Sequence, residues 1–249
     1  MRKFAFIFVT AVTGLLLVFI AASAAFAGWV VWYYSAQFDL PTVERLLAVS
    51  PADRICSSAG ERIYVPLAAI PLKVRNAILA ADEPEFYNRW TTNAFSEIAH
   101  AHLFDHRPRS FAISWSVMHC LRSLSTERHK HHGNWIVFTI MMNRVDSNLP
   151  KDLIFEIYLN ETYFGRGAYG VGAAAAALFG KPVADLTLDE AACLAALARA
   201  PGYLRNTERW TERRNFVIDR MQAAGAITAS EAAAAKQQPL APRPAPAPT

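Results

Sequence analysis

Residues 151–181, KDLIFEIYLNETYFGRGAYGVGAAAAALFGK, constrain the fold more than any other stretch of this chain. Pro150 precedes them and suits the first position of a helix, where its missing N–H costs nothing. Leu153, Phe155, Ile157 and Leu159 interleave with Ile154, Glu156 and Tyr158, so the helix is apolar on most faces and belongs inside a core. It carries Glu156 with it, and a buried carboxylate requires partners. Gly165, Gly167 and Gly170 then permit a tight reversal or close backbone approach. An alanine-rich helix follows from Val171 to Leu178 and stops at Gly180.

Arg2 and Lys3 precede a run of 31 residues, Phe4 to Tyr34, without a charge. Roughly 20 apolar residues span a bilayer. Trp29, Trp32, Tyr33 and Tyr34 close the run with aromatics suited to the membrane interface. The pattern predicts a retained single-pass anchor, with the N-terminus cytoplasmic and the remainder exported. A cleaved signal is the competing reading, because Ala25-Phe26-Ala27 has small-x-small form. After the anchor, Arg54-Ile55-Cys56 and Arg62-Ile63-Tyr64-Val65 flank Ser57-Ser58-Ala59-Gly60, which suggests a small hairpin.

The formal net charge of +4 suits an anionic partner such as a membrane surface or a pyrophosphate. It is too mild to indicate nucleic acid, for which no binding motif is present. Cys56, Cys120 and Cys193 are widely spaced and odd in number, which predicts small core residues rather than a disulfide frame or a zinc site. His129 to His132 reads as a solvated loop, and His100, His102, Asp105 and His106 lack a shared face for a metal.

The series Glu156, Tyr158-Leu159-Asn160, Tyr163-Phe164-Gly165-Arg166-Gly167-Ala168-Tyr169-Gly170-Val171 and Phe179-Gly180-Lys181 resembles the fourth conserved block of glycosyltransferase family 51, the peptidoglycan glycosyltransferases. The resemblance covers about residues 60–223 and is dense from Lys151 to Pro201. It implies a mainly α, lysozyme-like transferase domain behind one N-terminal transmembrane helix. The expected organisation is a stub and anchor at 1–36, a connector at 37–70, the transferase-like domain at 71–235 and a Pro/Ala-rich disordered tail at 236–249. No transpeptidase domain is expected behind it, so the resemblance is to the monofunctional type. The implied reaction polymerises lipid II through β-1,4 bonds and releases a polyprenyl pyrophosphate at the bacterial inner membrane. Lipid II, membrane lipids and other cell-wall synthesis proteins are the implied partners. No cofactor is expected, and the divalent metal often associated with the family is not readable in these residues.

The family's first motif, Glu-Asp-x-x-Phe-x-x-His-x-Gly, matches partially at Asp82-Glu83-Pro84-Glu85-Phe86. Asp82 holds the place of the general base and Glu83 that of the Asp, while Arg89 and Thr91 replace His and Gly. The shorter Asp withdraws the carboxylate by about 1 Å, a misplacement worth on the order of 10²-fold in rate. The second motif belongs in Ser110 to Leu124, where no Gln or Gly is present; Ser114 and Ser116 stand for its hydroxyl positions and Arg122 for its Lys. The third motif places Phe138 near its essential Glu and Asn134-Trp135 near its basic pair, with Glu127, Arg128 and Lys130 as the nearby substitutes. Lys151 matches the Lys that opens the fourth block and is expected to bind pyrophosphate. Arg166 is a second candidate cation, and Glu156 and Asn160 are expected to brace the loop, with Asn160 also a candidate substrate contact.

Downstream, Thr187-Leu188-Asp189-Glu190 has capping-box form. Leu197-Ala198-Arg199-Ala200-Pro201 is similar to the fifth family block. Trp210 to Met221 is a basic amphipathic helix predicted to turn Phe216, Val217 and Met221 inward, and Thr228 or Ser230 starts a last short helix. The degraded motifs admit a rival to catalysis: a descendant that binds lipid II or scaffolds wall assembly. A glycan hydrolase would need a second acid, and only Asp82, Glu83 and Glu85 cluster.

Overall fold

A computed structural model describes residues 2–36, 44, 60–88, 111–124, 135–198 and 200–240, with the side chains of 2–9, 31, 34–36, 122–124, 135–140 and 203 outside the description. Arg89, Thr91, the histidine runs, the candidates Glu127, Arg128 and Lys130, the side chains of Arg122 and Phe138, and most of the tail therefore lie outside the described residues. The protein is mainly α. Among the described residues there are nine α-helices and one small sheet.

The first helix, α1, runs Arg2–Ala36. Its segment Thr10–Val30 has a mean hydropathy of 2.1 and is long and apolar enough to cross a membrane, by length and composition. The chain divides into two compact units, one made of Met1–Asp39 with Glu127–Met141 and the other of Leu40–Thr126 with Met142–Thr249.

In the second unit, α2 (Leu72–Asp82) starts after Pro71 and buries Val74, Ala77, Ile78 and Ala81 at helical spacing. Then come α3 (Ala112–Leu124), α4 (Trp135–Asn148, which the division of units cuts after Met141), α5 (Lys151–Glu161) and α6 (Gly170–Phe179). The last three are α7 (Leu188–Leu197), α8 (Thr207–Ala223) and α9 (Ala229–Gln237). The core centres on α7, whose residues 191–197 are all buried. Most of them are Ala or Cys, so α2 and α8 approach its axis closely. Trp210 of α8 is sealed into this contact and donates from Nε1 to the Cys193 carbonyl at 2.9 Å. The Thr187–Glu190 capping box starts α7, and Thr228 with Glu231 forms a second one at α9.

Arg214 of α8, 2% exposed, donates from Nη1 to the Gln238 carbonyl at 2.7 Å and from Nη2 to the Lys236 carbonyl at 3.0 Å. Asn215 Oδ1 accepts from the same guanidinium. A buried charge tolerates its position only with such partners.

Strands β1 (Glu61–Arg62), β2 (Tyr163–Gly165) and β3 (Ala168–Tyr169) pair in the order β1-β3-β2. The glycine loop is thus an antiparallel hairpin with a bulge, turning through Gly165, Arg166 and Gly167 at φ of 96°, 52° and 74°. Gly170 enters α6 at φ 80°, and a Cβ there would stand 2.5 Å from the Asn160 carbonyl oxygen, so no larger residue fits.

The sequence suggests a hairpin of residues 62–65 with 54–56, and 54–56 lie outside the described residues; within them β1 pairs in parallel with β3. Three expectations change. Pro150 caps α5 from outside rather than occupying its first turn. Phe216 is 44% exposed: the buried stripe of α8 is Trp210, Arg214, Val217, Ile218 and Met221, which rotates position 216 out. Cys120 is disulfide-bonded, with its bond partner outside the described residues, while Cys193 is a buried free thiol whose pKa burial raises.

Candidate functional site

The sequence places two carboxylates where α2 ends, and the fold separates their duties. Asp82, the last residue of α2, is 5% exposed and accepts a hydrogen bond on Oδ2 from the Tyr158 hydroxyl of α5 at 2.7 Å. On another side, the Arg220 guanidinium of α8 lies close enough to feel its charge. Glu83 serves a different element. Its Oε2 accepts from the Ile113 amide at 3.0 Å, so it caps the first turn of α3, where the helix dipole favours a negative charge. Backbone extension at Glu83 (φ −156°, ψ 79°) produces this divergence.

Phe86 follows and packs on Phe155 of α5, ring centroids 5.8 Å apart. Lys151, at the start of α5, sets its ammonium 4.9 Å from the Phe86 ring centroid and 3.5 Å from Asp146 Oδ1. Asp146 is buried and accepts from Ser114 Oγ at 2.6 Å. Lys151 therefore faces an anion already, which an incoming phosphate would have to displace or share. Tyr87 donates to Asp152 at 2.9 Å, and burial together with that bond raises its pKa.

Glu156 and Asn160, one turn apart on α5, strap down the segment before α2. Glu156 accepts from the Tyr64 hydroxyl at 2.7 Å and the Leu67 amide at 2.8 Å. Asn160 accepts from the Val65 amide and donates to the carbonyls of Val65 and Glu156, all at 2.9 Å. They brace residues 64–67 more than the glycine loop, and the Asn160 amide is engaged at both ends. Arg166 stands at the tip of the hairpin, where, among the described residues, it alone holds a positive φ without being glycine.

A cavity of about 530 Å³ opens between α3, α5 and the hairpin. Its walls include Trp115, Ser116 and His119 from α3, Ile157, Tyr158 and Glu161 from α5, and Thr162, Tyr163 and Pro201. The Trp115 and His119 rings lie 5.2 Å apart, and Cys120 lines the same cavity. Aromatic faces edged by hydroxyls suit a sugar ring or an alkyl chain. Of the sequence-derived candidates that are described, Ser116 and no other lines it. Asp82 does not line the cavity, but Tyr158, which does, bonds its carboxylate.

The family model described as Transglycosylase matches residues 50–222. The chain belongs to the transglycosylase family. Among transglycosylase relatives, penicillin-binding protein 1A of Rickettsia bellii is 33% identical over 85% of this chain and 29% of its own length. The protein of the same name from Aquifex aeolicus is 31% identical over 87% of this chain and 32% of its own. A solved structure, penicillin-binding protein 1A from Haemophilus influenzae, is 27% identical, with a TM-score of 0.45 over 74% of this chain and 18% of that one. This chain thus spans under a third of the length of the curated relatives it matches.

Three features of the site carry no clear mark in the sequence: Tyr158, Asp146 and the aromatic wall. A hydroxyl inside an otherwise apolar helix was the available signal for Tyr158, as was the Ser114–Asp146 pair on two apolar helices. Among the described residues no three His, Cys, Asp or Glu side chains group to hold a metal.

Proposed function

We propose that this chain is a membrane-anchored peptidoglycan glycosyltransferase-like protein that takes lipid II, with Asp82 in the place of the general base. The family reaction joins a sugar 4-hydroxyl to a lipid-linked donor in a β-1,4 bond and releases polyprenyl pyrophosphate. The observation that carries the reading is the Asp82–Tyr158 pair, a buried carboxylate one side chain behind a sugar-sized cavity. Ser116 supports it from the cavity wall, and Lys151, Arg166 and Arg122 are the cations proposed for the diphosphate. Residues 71–235 form the proposed transferase-like domain. Arg2 and Lys3 ahead of α1 support a cytoplasmic N-terminus, and the disulfide at Cys120 supports an oxidising, extracytoplasmic compartment for the domain.

The same geometry favours a second reading. A base must reach the proton it takes, directly or through one water. Asp82 does not line the cavity and is engaged by Tyr158, and Glu83 caps α3. A protein so built binds lipid II without polymerising it, as a scaffold in wall assembly. Purified full-length protein in detergent, supplied with lipid II, decides between them. Glycan chains that vanish in Asp82→Asn establish the transferase. Retained lipid II without polymer establishes the scaffold, and neither polymer nor retention overturns both.

A further inference from the structure

Four residues of α8 recur at 209, 213, 216 and 220, spacings of four, three and four that bring them to one helix face. They are Arg209, Arg213, Phe216 and Arg220. Phe216 is exposed, and the two neighbouring guanidinium groups cover its ring from either end, Arg213 at 4.6 Å and Arg220 at 5.6 Å from the centroid. The acidic residues Glu208, Glu212 and Asp219 fall on an adjacent stripe, where Asp219 is taken up by Lys236 of α9. Glu212 and Asp219, four residues before and three after Phe216, thus border the basic stripe along one side, and the buried stripe borders the other. Burial, and then the charge of Arg213, lower the pKa of Arg220; Asp82, facing it from α2, offsets this in part. Two like charges held over one ring gain most from an anion that bridges them.

We infer that the Arg209–Arg213–Phe216–Arg220 face docks on an anionic lipid surface, the guanidinium groups on headgroup phosphates and the Phe216 ring in the interfacial layer. An aromatic ring flanked by arginines suits that boundary, where the ring leaves water while the charges stay hydrated and paired. The inference rests on the membrane anchor proposed above, which raises the effective concentration of a bilayer for any weak lipid-binding face on the same chain. Phosphate-rich headgroups complement the charge, and an apolar centre between cations fits a surface with an acyl layer beneath it better than a soluble anion.

The test uses the full chain with 4-fluorophenylalanine in place of Phe216, reconstituted in lipid nanodiscs that carry a nitroxide headgroup lipid. One set of discs is phosphatidylcholine, the other phosphatidylcholine with phosphatidylglycerol. Incorporation into discs is scored first, and its failure counts against the anchor. In incorporated protein the fluorine line should broaden away in the anionic discs, stay narrow in the neutral ones, and recover at high salt. Arg213→Gln with Arg220→Gln should keep the line narrow in both sets, whereas Arg213→Lys with Arg220→Lys, which keeps the charge and controls for folding, should restore broadening. Equal lines in the two sets overturn the inference. So does a soluble polyphosphate that shifts the line in neutral discs and abolishes broadening in anionic ones, since the face then takes a free polyanion.

Discussion

The hydroxyl of Tyr158 and the Oδ2 of Asp82 meet at 2.7 Å, joining the wall of the cavity to the carboxylate behind it. Tyr158→Phe removes the donor and leaves a buried carboxylate oxygen short of a partner. The expected loss is about 1–3 kcal/mol of stability, read by chemical denaturation. In a double-mutant cycle with Asp82→Ala the two losses should not add, because both substitutions break one bond.

Glu83→Ala should cost about 0.5–2 kcal/mol by uncapping α3, the size of a lost N-cap. Glu83→Gln keeps an acceptor and should lose less. If Glu83 were instead the reacting acid, Gln would cost activity and leave the melting temperature unchanged.

The two glycines that bracket β3 give a matched comparison. Gly167 has φ 74° and open space where a Cβ would stand, whereas a Cβ on Gly170 meets the Asn160 carbonyl at 2.5 Å. Gly167→Ala should cost only the left-handed backbone, about 1–2 kcal/mol. Gly170→Ala should cost clearly more and reduce the yield of folded protein, which melting temperature and yield will report.

Acid should weaken both capping boxes. Burial raises the pKa of Glu190, but bonds with Lys181 and Thr187 outweigh it and hold the carboxyl below its ordinary value; bonds with Thr228 do the same for Glu231. A carboxylate with a depressed folded pKa adds stability above its unfolded pKa, and that stability is lost as pH falls through the folded value. Stability should therefore decline below about pH 4.5, the ordinary Glu range. Glu190→Gln and Glu231→Gln together should flatten that part of the stability–pH curve.

The helix–hairpin–helix around Gly165 to Gly170 was legible because glycine spacing and an unbroken apolar helix are local signals. The starts of α7 and α9 were legible for the same reason, through Thr187 and Thr228. Partners were not. Glu156 announced its need for hydrogen bonds, but Tyr64 and Leu67 lie 92 and 89 positions away. The opposed duties of Asp82 and Glu83 depend on where α3 and α5 pack, which no local pattern carries. Hydrophobicity alone points Phe216 inward; the stripe through Trp210 and Arg214 turns the helix the other way, because an arginine serves as a core residue. Cysteine counting misses the bond at Cys120, since an odd total still permits one pair.

The guanidinium of Arg214 fixes how short a self-sufficient version of this chain can be. Its acceptors at Lys236 and Gln238 lie beyond residue 222, where the family match stops. Truncation at that border would remove two carbonyl acceptors from a buried cation, leaving it Asn215, and expose the flank of α8. The minimal folding segment must therefore continue through Gln238, and the terminal helix acts as a plug for the charge beneath it rather than as an ornament of the tail.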